Sequence, residues 1–215
     1  MLCAAVLPLA NGLYVESAYR ASPPLFWALD IAQFVAVPAA SCWLLWRFAG
    51  VAPAHYGLSR IVQHHPLHEL VVYTAVIAAF VAGYGLARIL ALFAPLLWSG
   101  HSFSYQTAIP GGVAAIVALA YFAFSAGLAE EVVFRGLPAL YLGARLSPAA
   151  FAWVYPLASA AAFAAIHWEQ GSREFVATFL LGLGAGWLYM KIRNLWPFVF
   201  GHAYTDVAAF SGYYG

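Results

Sequence analysis

Charge is the scarcest property of this 215-residue chain: 8% of its residues are Asp, Glu, Lys or Arg, where a soluble domain carries roughly 25%. Nine basic and eight acidic side chains cannot clothe a water-exposed surface of this size. The shortage excludes a soluble globular enzyme and a disordered chain, and the net charge of +1 excludes a basic nucleic-acid binder. Cysteine is as scarce. Cys3 and Cys42 have no paired spacing, which excludes a disulfide scaffold and a cysteine-ligated zinc site. No Lys or Arg precedes the apolar residues 2–15. They are read as a short first span, with an interfacial segment as the alternative, and not as a cleaved signal peptide.

Apolar side chains are what the chain has in excess, at 65% hydrophobic and 17% aromatic. A helix needs about 20 apolar residues to cross a bilayer. The candidate spans are residues 2–15, 25–46, 70–98, 113–129, 148–166, 175–190 and 195–210. They predict an all-α, polytopic transmembrane bundle of about seven spans, with six and eight as bounds. Runs this long lack the period-two alternation of membrane strands. Residues 131–146 are amphipathic and either extend the fourth span or lie at the interface. The length fits one structural domain, divided into N-terminal helices over residues 1–112 and a second half over residues 113–215.

The even loops hold Arg47, Arg60, Arg135, Arg145, Lys191 and Arg193, and the odd loops hold Arg20 and Arg173. By the positive-inside rule this puts the even loops and the N-terminus in the cytoplasm. Gly182 and Gly186 have GxxxG spacing in the sixth span, with Gly184 between them, and are read as a close-packing face. His55, His64, His65 and His68 cluster in the second loop, which is read as a hydrated surface loop with metal binding as the alternative.

Charges inside apolar spans are costly and therefore mark candidate sites. Asp30 and Arg88 stand alone near span ends and are given structural or snorkelling roles. The remainder concentrates in three places. In Glu130-Glu131-Val132-Val133-Phe134-Arg135, Glu131 and Arg135 are four apart and share a helix face, whereas Glu130 and Arg135 point well apart. Glu131 is thereby neutralised locally, and Glu130 is left as a candidate general base. Phe163 and His167 repeat the four-residue spacing, so the ring packs beside the imidazole. His202 and Asp206 repeat it again, which allows the carboxylate to fix the histidine tautomer. Each pair alone has a structural reading as well. Together they supply a Glu, two His and an Asp, a set that can activate water and stabilise an oxyanion. The same four side chains are also a nitrogen and oxygen set that zinc accepts, although no HExxH is present.

These three motifs, in this order, resemble the CPBP family of intramembrane proteases, which includes the CAAX prenyl endopeptidases. The family pattern is EExxxR, then FxxxH, then HxxxN or HxxxD. The continuation Phe134-Arg135-Gly136, the small-residue helix after His167 and the approach Asn194-Leu195-Trp196-Pro197 are also similar to the family. Tyr56-Gly57-Leu58 is a fainter echo in the first half. The resemblance covers about residues 120–209 and makes residues 113–215 the catalytic helical core. It implies that Glu130 activates the attacking water with His167 as partner, that His202 stabilises the oxyanion, and that Glu131–Arg135, with Phe163, supports the site. Prenyl proteases have Asn at the fourth position. An ionised Asp206 cannot donate to an oxyanion, so Asp206 is either protonated or orients His202, and orientation is the reading preferred.

The resemblance implies a metal-free, glutamate-type peptide hydrolase, with zinc kept as the alternative cofactor. Its partners are the lipid bilayer and a membrane-anchored or lipidated protein or peptide substrate, with no nucleic acid and the oligomeric state left open. A bacterial inner membrane is the expected location. The rival readings are a non-catalytic immunity or scaffold protein of the same fold and a proton-coupled carrier. Simple crossings conflict with the depths of two residues: Glu130 lies roughly 26 Å along the fourth span and His167 at the far end of the fifth. Two extensions address the conflict: a fourth helix running on to about Leu142, which puts Glu130 near mid-membrane, and a fifth helix running past His167.

Overall fold

The computed structural model describes residues 2–59, 65–101 and 103–211. Arg60 and His64 lie outside these, as does the side chain of Cys3. The described residues form seven helical rods: α1 (Leu2–Ala21), α2 (Pro23–Ala49), α3 (Pro66–Ala91), α4 (Val113–Gly143), α5 (Pro148–Ala165), α6 (Ser172–Ile192) and α7 (Trp196–Phe210). The five rods α2 to α6 are long and apolar enough to cross a membrane. Among the described residues there is no strand, and one isolated bridge joins Ser99 to Gly171. The all-α bundle expected from hydropathy is the fold.

Proline starts the rods. Pro23, Pro66, Pro148 and Pro197 stand in first turns, where a missing N–H leaves no hydrogen bond unmade. Ser147 caps α5 by accepting from the Ala150 N–H at 3.3 Å. Left-handed residues end α2 at Gly50 (φ 67°) and α6 at Arg193 (φ 54°). The third helix stops at Ala91, short of the predicted residue 98. Leu97 instead donates its N–H to Ser172 Oγ at 3.0 Å, and the Trp98 indole donates to the Trp168 carbonyl at 2.8 Å. These bonds tie the α3–α4 connection to the α5–α6 connection.

The fourth helix extends to Gly143, so residues 131–143 continue the span rather than lie at the interface. Glu130 is the eighteenth of its 31 residues. From the turn at Ser147, Glu130 is seventeen residues back and His167 twenty residues on, so two antiparallel rods bring them to similar depth. Arg135 accordingly leaves the tally of loop charges, because it sits inside α4 and is 1% exposed. Sequence periodicity does not reveal two π-helical turns, Ala32–Ala36 in α2 and Val132–Gly136 in α4.

Packing is closest among α3 to α7, with α5 on α6, α4 on α7, and α3 against α6 and α7. A Cβ on Gly182 would stand 3.1 Å from Ala160 Cα, and one on Gly186 3.3 Å from Pro156 Cα, whereas Gly184 faces open space. The GxxxG pair is therefore a packing face and the glycine between is not. Leu13, Phe48, Phe93 and Val113 are each at least 72% exposed, as lipid-facing side chains should be.

The last rod begins inside the protein, with Leu195, Phe198 and Val199 wholly buried. Its start is pinned by the Tyr56-Gly57-Leu58 turn: Leu195 donates its N–H to the Gly57 carbonyl at 2.9 Å, and the Trp196 indole donates to the Ser59 carbonyl at 2.9 Å. Two of the clustered histidines turn back on their own backbone, His55 Nδ1 accepting from Ala52 N–H at 3.0 Å and His65 Nδ1 from Leu67 N–H at 3.3 Å. Asp30 and Arg88 have partners on other helices. Tyr121 donates to Asp30 Oδ2 at 2.9 Å, and Arg88 Nε lies 4.0 Å from Glu174.

Candidate active site

The π-turn of α4 directly follows Glu130 and Glu131. A π-turn loosens the regular ladder and leaves carbonyls seeking donors. α5 supplies them: Ser159 Oγ donates to the Phe134 carbonyl at 2.6 Å and Tyr155 OH to the Arg135 carbonyl at 3.3 Å. Tyr155, Ser159, Phe163 and His167 follow one another at four-residue spacing and so line one face of α5 and its C-terminal turn. Tyr155 and Ser159, the upper half of that stripe, are not among the residues singled out from the sequence. They are legible there all the same, as a polar pair at helical spacing in an apolar helix.

Glu131 and Arg135 form an ion pair within α4, both essentially excluded from solvent. The guanidinium lies over two rings, 5.8 Å from the Phe163 centroid and 5.7 Å from that of Phe198. The second contact of Glu131 is with α7: its Oε1 lies 3.0 Å from His202 Nδ1. A carboxylate accepts, so Nδ1 carries the proton and Nε2 faces away from Glu131.

His202 Nε2 stands 3.7 Å from Glu130 Oε2 and 3.7 Å from Asp206 Oδ2. Both separations exceed hydrogen-bond length. The carboxylate that fixes the His202 tautomer is therefore Glu131, a long-range partner, and not the i+4 neighbour Asp206. The His202 ring is held between Phe80, stacked at 5.8 Å, and Phe163, edge-on at 5.7 Å. Close approach of α7 to α4 depends on Gly127, where a Cβ would stand 3.2 Å from the Val199 carbonyl.

His167 Nδ1 is 2.9 Å from the Phe163 carbonyl, an acceptor only, so Nδ1 is the donor. In the neutral ring Nε2 is then free to accept. Burial lowers the basicity of His167, which keeps it neutral at pH 7. Phe163 packs edge-on against it at 4.9 Å. Among the described residues no hydrogen bond joins Glu130 to His167. Both instead line one cavity of about 270 Å³, with His202 and Asp206 on its wall as well. Glu130 is 7% exposed, and its Oε2 is buried with no hydrogen-bond partner.

All seven residues predicted from the sequence meet here: Glu130, His167, His202 and Asp206 on the cavity, with Glu131, Arg135 and Phe163 packed around them. Among the described residues no three His, Cys, Asp or Glu side chains converge as a metal-ligand group. The cavity also extends to α1, α2 and the α3–α4 connection, where Asn11, Asp30, Gln33 and Tyr105 line it.

Residues 112–208 match a family model described as type II CAAX prenyl endopeptidase Rce1-like. The match runs from the start of α4 almost to the end of α7 and takes in all three motifs. Neither curated proteins nor solved structures gave a match. With its apolar helices the chain is an integral membrane protein, and its α4–α7 half is similar to the type II CAAX prenyl endopeptidases of the CPBP family.

Proposed function

We propose that this chain hydrolyses a peptide bond near the membrane-embedded or lipidated end of a protein or peptide substrate. The observation that carries the proposal is the convergence of Glu130, His167 and His202, from separate helices, on one cavity inside an apolar bundle. Water in that cavity gives one proton to Glu130 while His167 Nε2 accepts its second O–H and aims the oxygen lone pair. The water oxygen bonds to the scissile carbonyl carbon, and the carbonyl π electrons move onto its oxygen.

His202 meets that oxyanion. With Nδ1–H committed to Glu131, a proton on Nε2 makes the ring a charged donor toward the cavity. Collapse re-forms the carbonyl and breaks the carbon–nitrogen bond, and Glu130 returns its proton to the leaving amine. The proton inventory closes on Glu130 alone, and the reading is of a metal-free glutamate peptidase. Asp206, 3.7 Å from Nε2, balances the charge of the His202 ring. Glu131, Arg135 and Phe163 position His202 without touching substrate. We place the chain in a bacterial inner membrane with its N-terminus in the cytoplasm, since loop charge without Arg135 still favours that side.

The test compares membrane-protein termini by mass spectrometry in the native host, wild type against Glu130→Gln. Termini present only with Glu130 establish proteolysis and name the substrate. Identical termini, with the mutant still supporting the host phenotype, remove Glu130 as a catalytic base and leave a binding protein.

A further inference from the structure

The cavity wall is unusual in its charge. Asp30, Glu130, Glu169, Glu174 and Asp206 line it, and among the described lining residues there is no Lys or Arg. The proposed chemistry uses Glu130 and Asp206, and Arg88 faces Glu174 at 4.0 Å. Asp30 and Glu169 are left over. They come from α2 and from the α5–α6 connection, and they are 3% and 7% exposed. Each is held on one oxygen only, Asp30 Oδ2 by Tyr121 OH at 2.9 Å and Glu169 Oε1 by Asn11 Nδ2 at 3.0 Å. The other oxygens, Asp30 Oδ1 and Glu169 Oε2, are buried without a partner. Buried acceptors left unmade are costly, and each calls for a physical explanation, of which completion by a bound donor is one.

We infer that this end of the cavity is a subsite for a cationic side chain of the substrate, a Lys or Arg flanking its membrane anchor. The inference rests on the hydrolytic reading of the same cavity. Three features select an organic cation. Among the described residues no three acidic or histidine side chains converge to cage a metal ion. A carboxylate is repelled here, which disfavours a substrate whose free C-terminus must enter this end. Lys and Arg bring several N–H donors to acceptors that lack one, and Phe103, Tyr105 and Phe122 on the wall accommodate an aliphatic stem or a cation. Such residues are common beside membrane anchors, where the positive-inside rule concentrates them.

The test uses the full chain in nanodiscs of neutral phosphatidylcholine. The probe is a mixture of N-dodecanoylated, C-amidated nonapeptides of randomised sequence. Cleaved products are sequenced by mass spectrometry, and peptides retained on immobilised Glu130→Gln protein are sequenced in parallel. Lys and Arg are expected to be enriched about tenfold over Leu, at one fixed offset from the cleaved bond, as one charge-assisted contact implies. The enrichment should fall in Asp30→Asn and in Glu169→Gln separately, so that one misfolded variant does not decide the result. Cleavage without basic enrichment, or enrichment unmoved by both variants, overturns the subsite and leaves hydrolysis standing. Basic enrichment among retained peptides with no cleavage keeps the subsite and removes hydrolysis. Neither cleavage nor basic enrichment counts against both.

Discussion

The α4–α7 half and the α1–α2 half face the same cavity but are assembled on different principles. In α4–α7 the polar groups sit at helical spacing: Glu131 with Arg135, Phe163 with His167, His202 with Asp206. On the α1–α2 side, the two bonds that hold the cavity's leftover acids join residues far apart in the chain, Asn11 to Glu169 across 158 positions and Asp30 to Tyr121 across 91. Both arrangements place a buried acid two residues before the start of a π-turn, Glu130 before Val132–Gly136 and Asp30 before Ala32–Ala36. The contrast teaches that most of the site's polar residues are written into short helical segments, while the contacts that aim them, Glu131 to His202 first, and the rest of the cavity are composed by tertiary packing. A matched family model that starts at residue 112 fits this division.

The sharpest test of the division is to neutralise one acid on each side. Glu130→Gln should lower peptide hydrolysis about 10²–10⁴-fold, the range general bases supply, with helical content by circular dichroism unchanged. Asp30→Asn should change which peptides are cleaved, read from the same product spectra. Equal losses on all peptides from both variants would erase the distinction between the halves.

Next in size is the ion pair beneath the site. Arg135→Leu leaves Glu131 buried without its countercharge, and breaking such a pair costs about 3–5 kcal/mol. Unfolding by SDS titration in mixed micelles should show that loss. The double variant Glu131→Leu/Arg135→Leu should regain much of the stability and none of the activity, because His202 Nδ1 then has no carboxylate to hold it. A double variant that recovers turnover would reduce the pair to a structural brace.

The glycine face gives a smaller effect with an internal control. Gly182→Val forces atoms onto Ala160, whose Cα would stand 3.1 Å from the new Cβ, while a Cβ on Gly184 would have nothing within 4 Å. Overpacking of this kind costs about 1–3 kcal/mol, and Gly184→Val should stay within about 0.5 kcal/mol. Thermal melts in detergent separate the two.

How much of this is legible in the sequence follows the same division. Hydropathy locates seven rods, because lipid allows few alternatives to a long apolar helix. Four-residue spacing finds the Glu131–Arg135 pair, since a helix brings those residues together whatever surrounds them. The same rule assigns the His202 tautomer to Asp206, and there it fails. Glu131 is 71 positions away and reaches Nδ1 only because Gly127 lets α7 lie close to α4. The π-turns are not legible, since hydropathy does not register one extra residue in a turn. Asp30 reads as a lone charge because its partner, Tyr121, lies on another helix.

Tyr121→Phe is the mildest way to probe that partnership. It removes one hydroxyl and leaves the ring, which packs beside Trp27 at 5.7 Å. Losing the bond should cost about 1 kcal/mol, the usual net worth of such a contact, read by the same SDS titration. If Asp30 serves only to tie α2 to α4, stability is the sole quantity that moves. If Asp30 receives a substrate cation, freeing its second oxygen keeps the acceptor in place, and the preference for Lys and Arg among cleaved peptides should persist or rise. A preference that vanishes with the hydroxyl would instead make Tyr121 the positioning residue, because Asp30 then needs that bond to aim its free oxygen into the cavity.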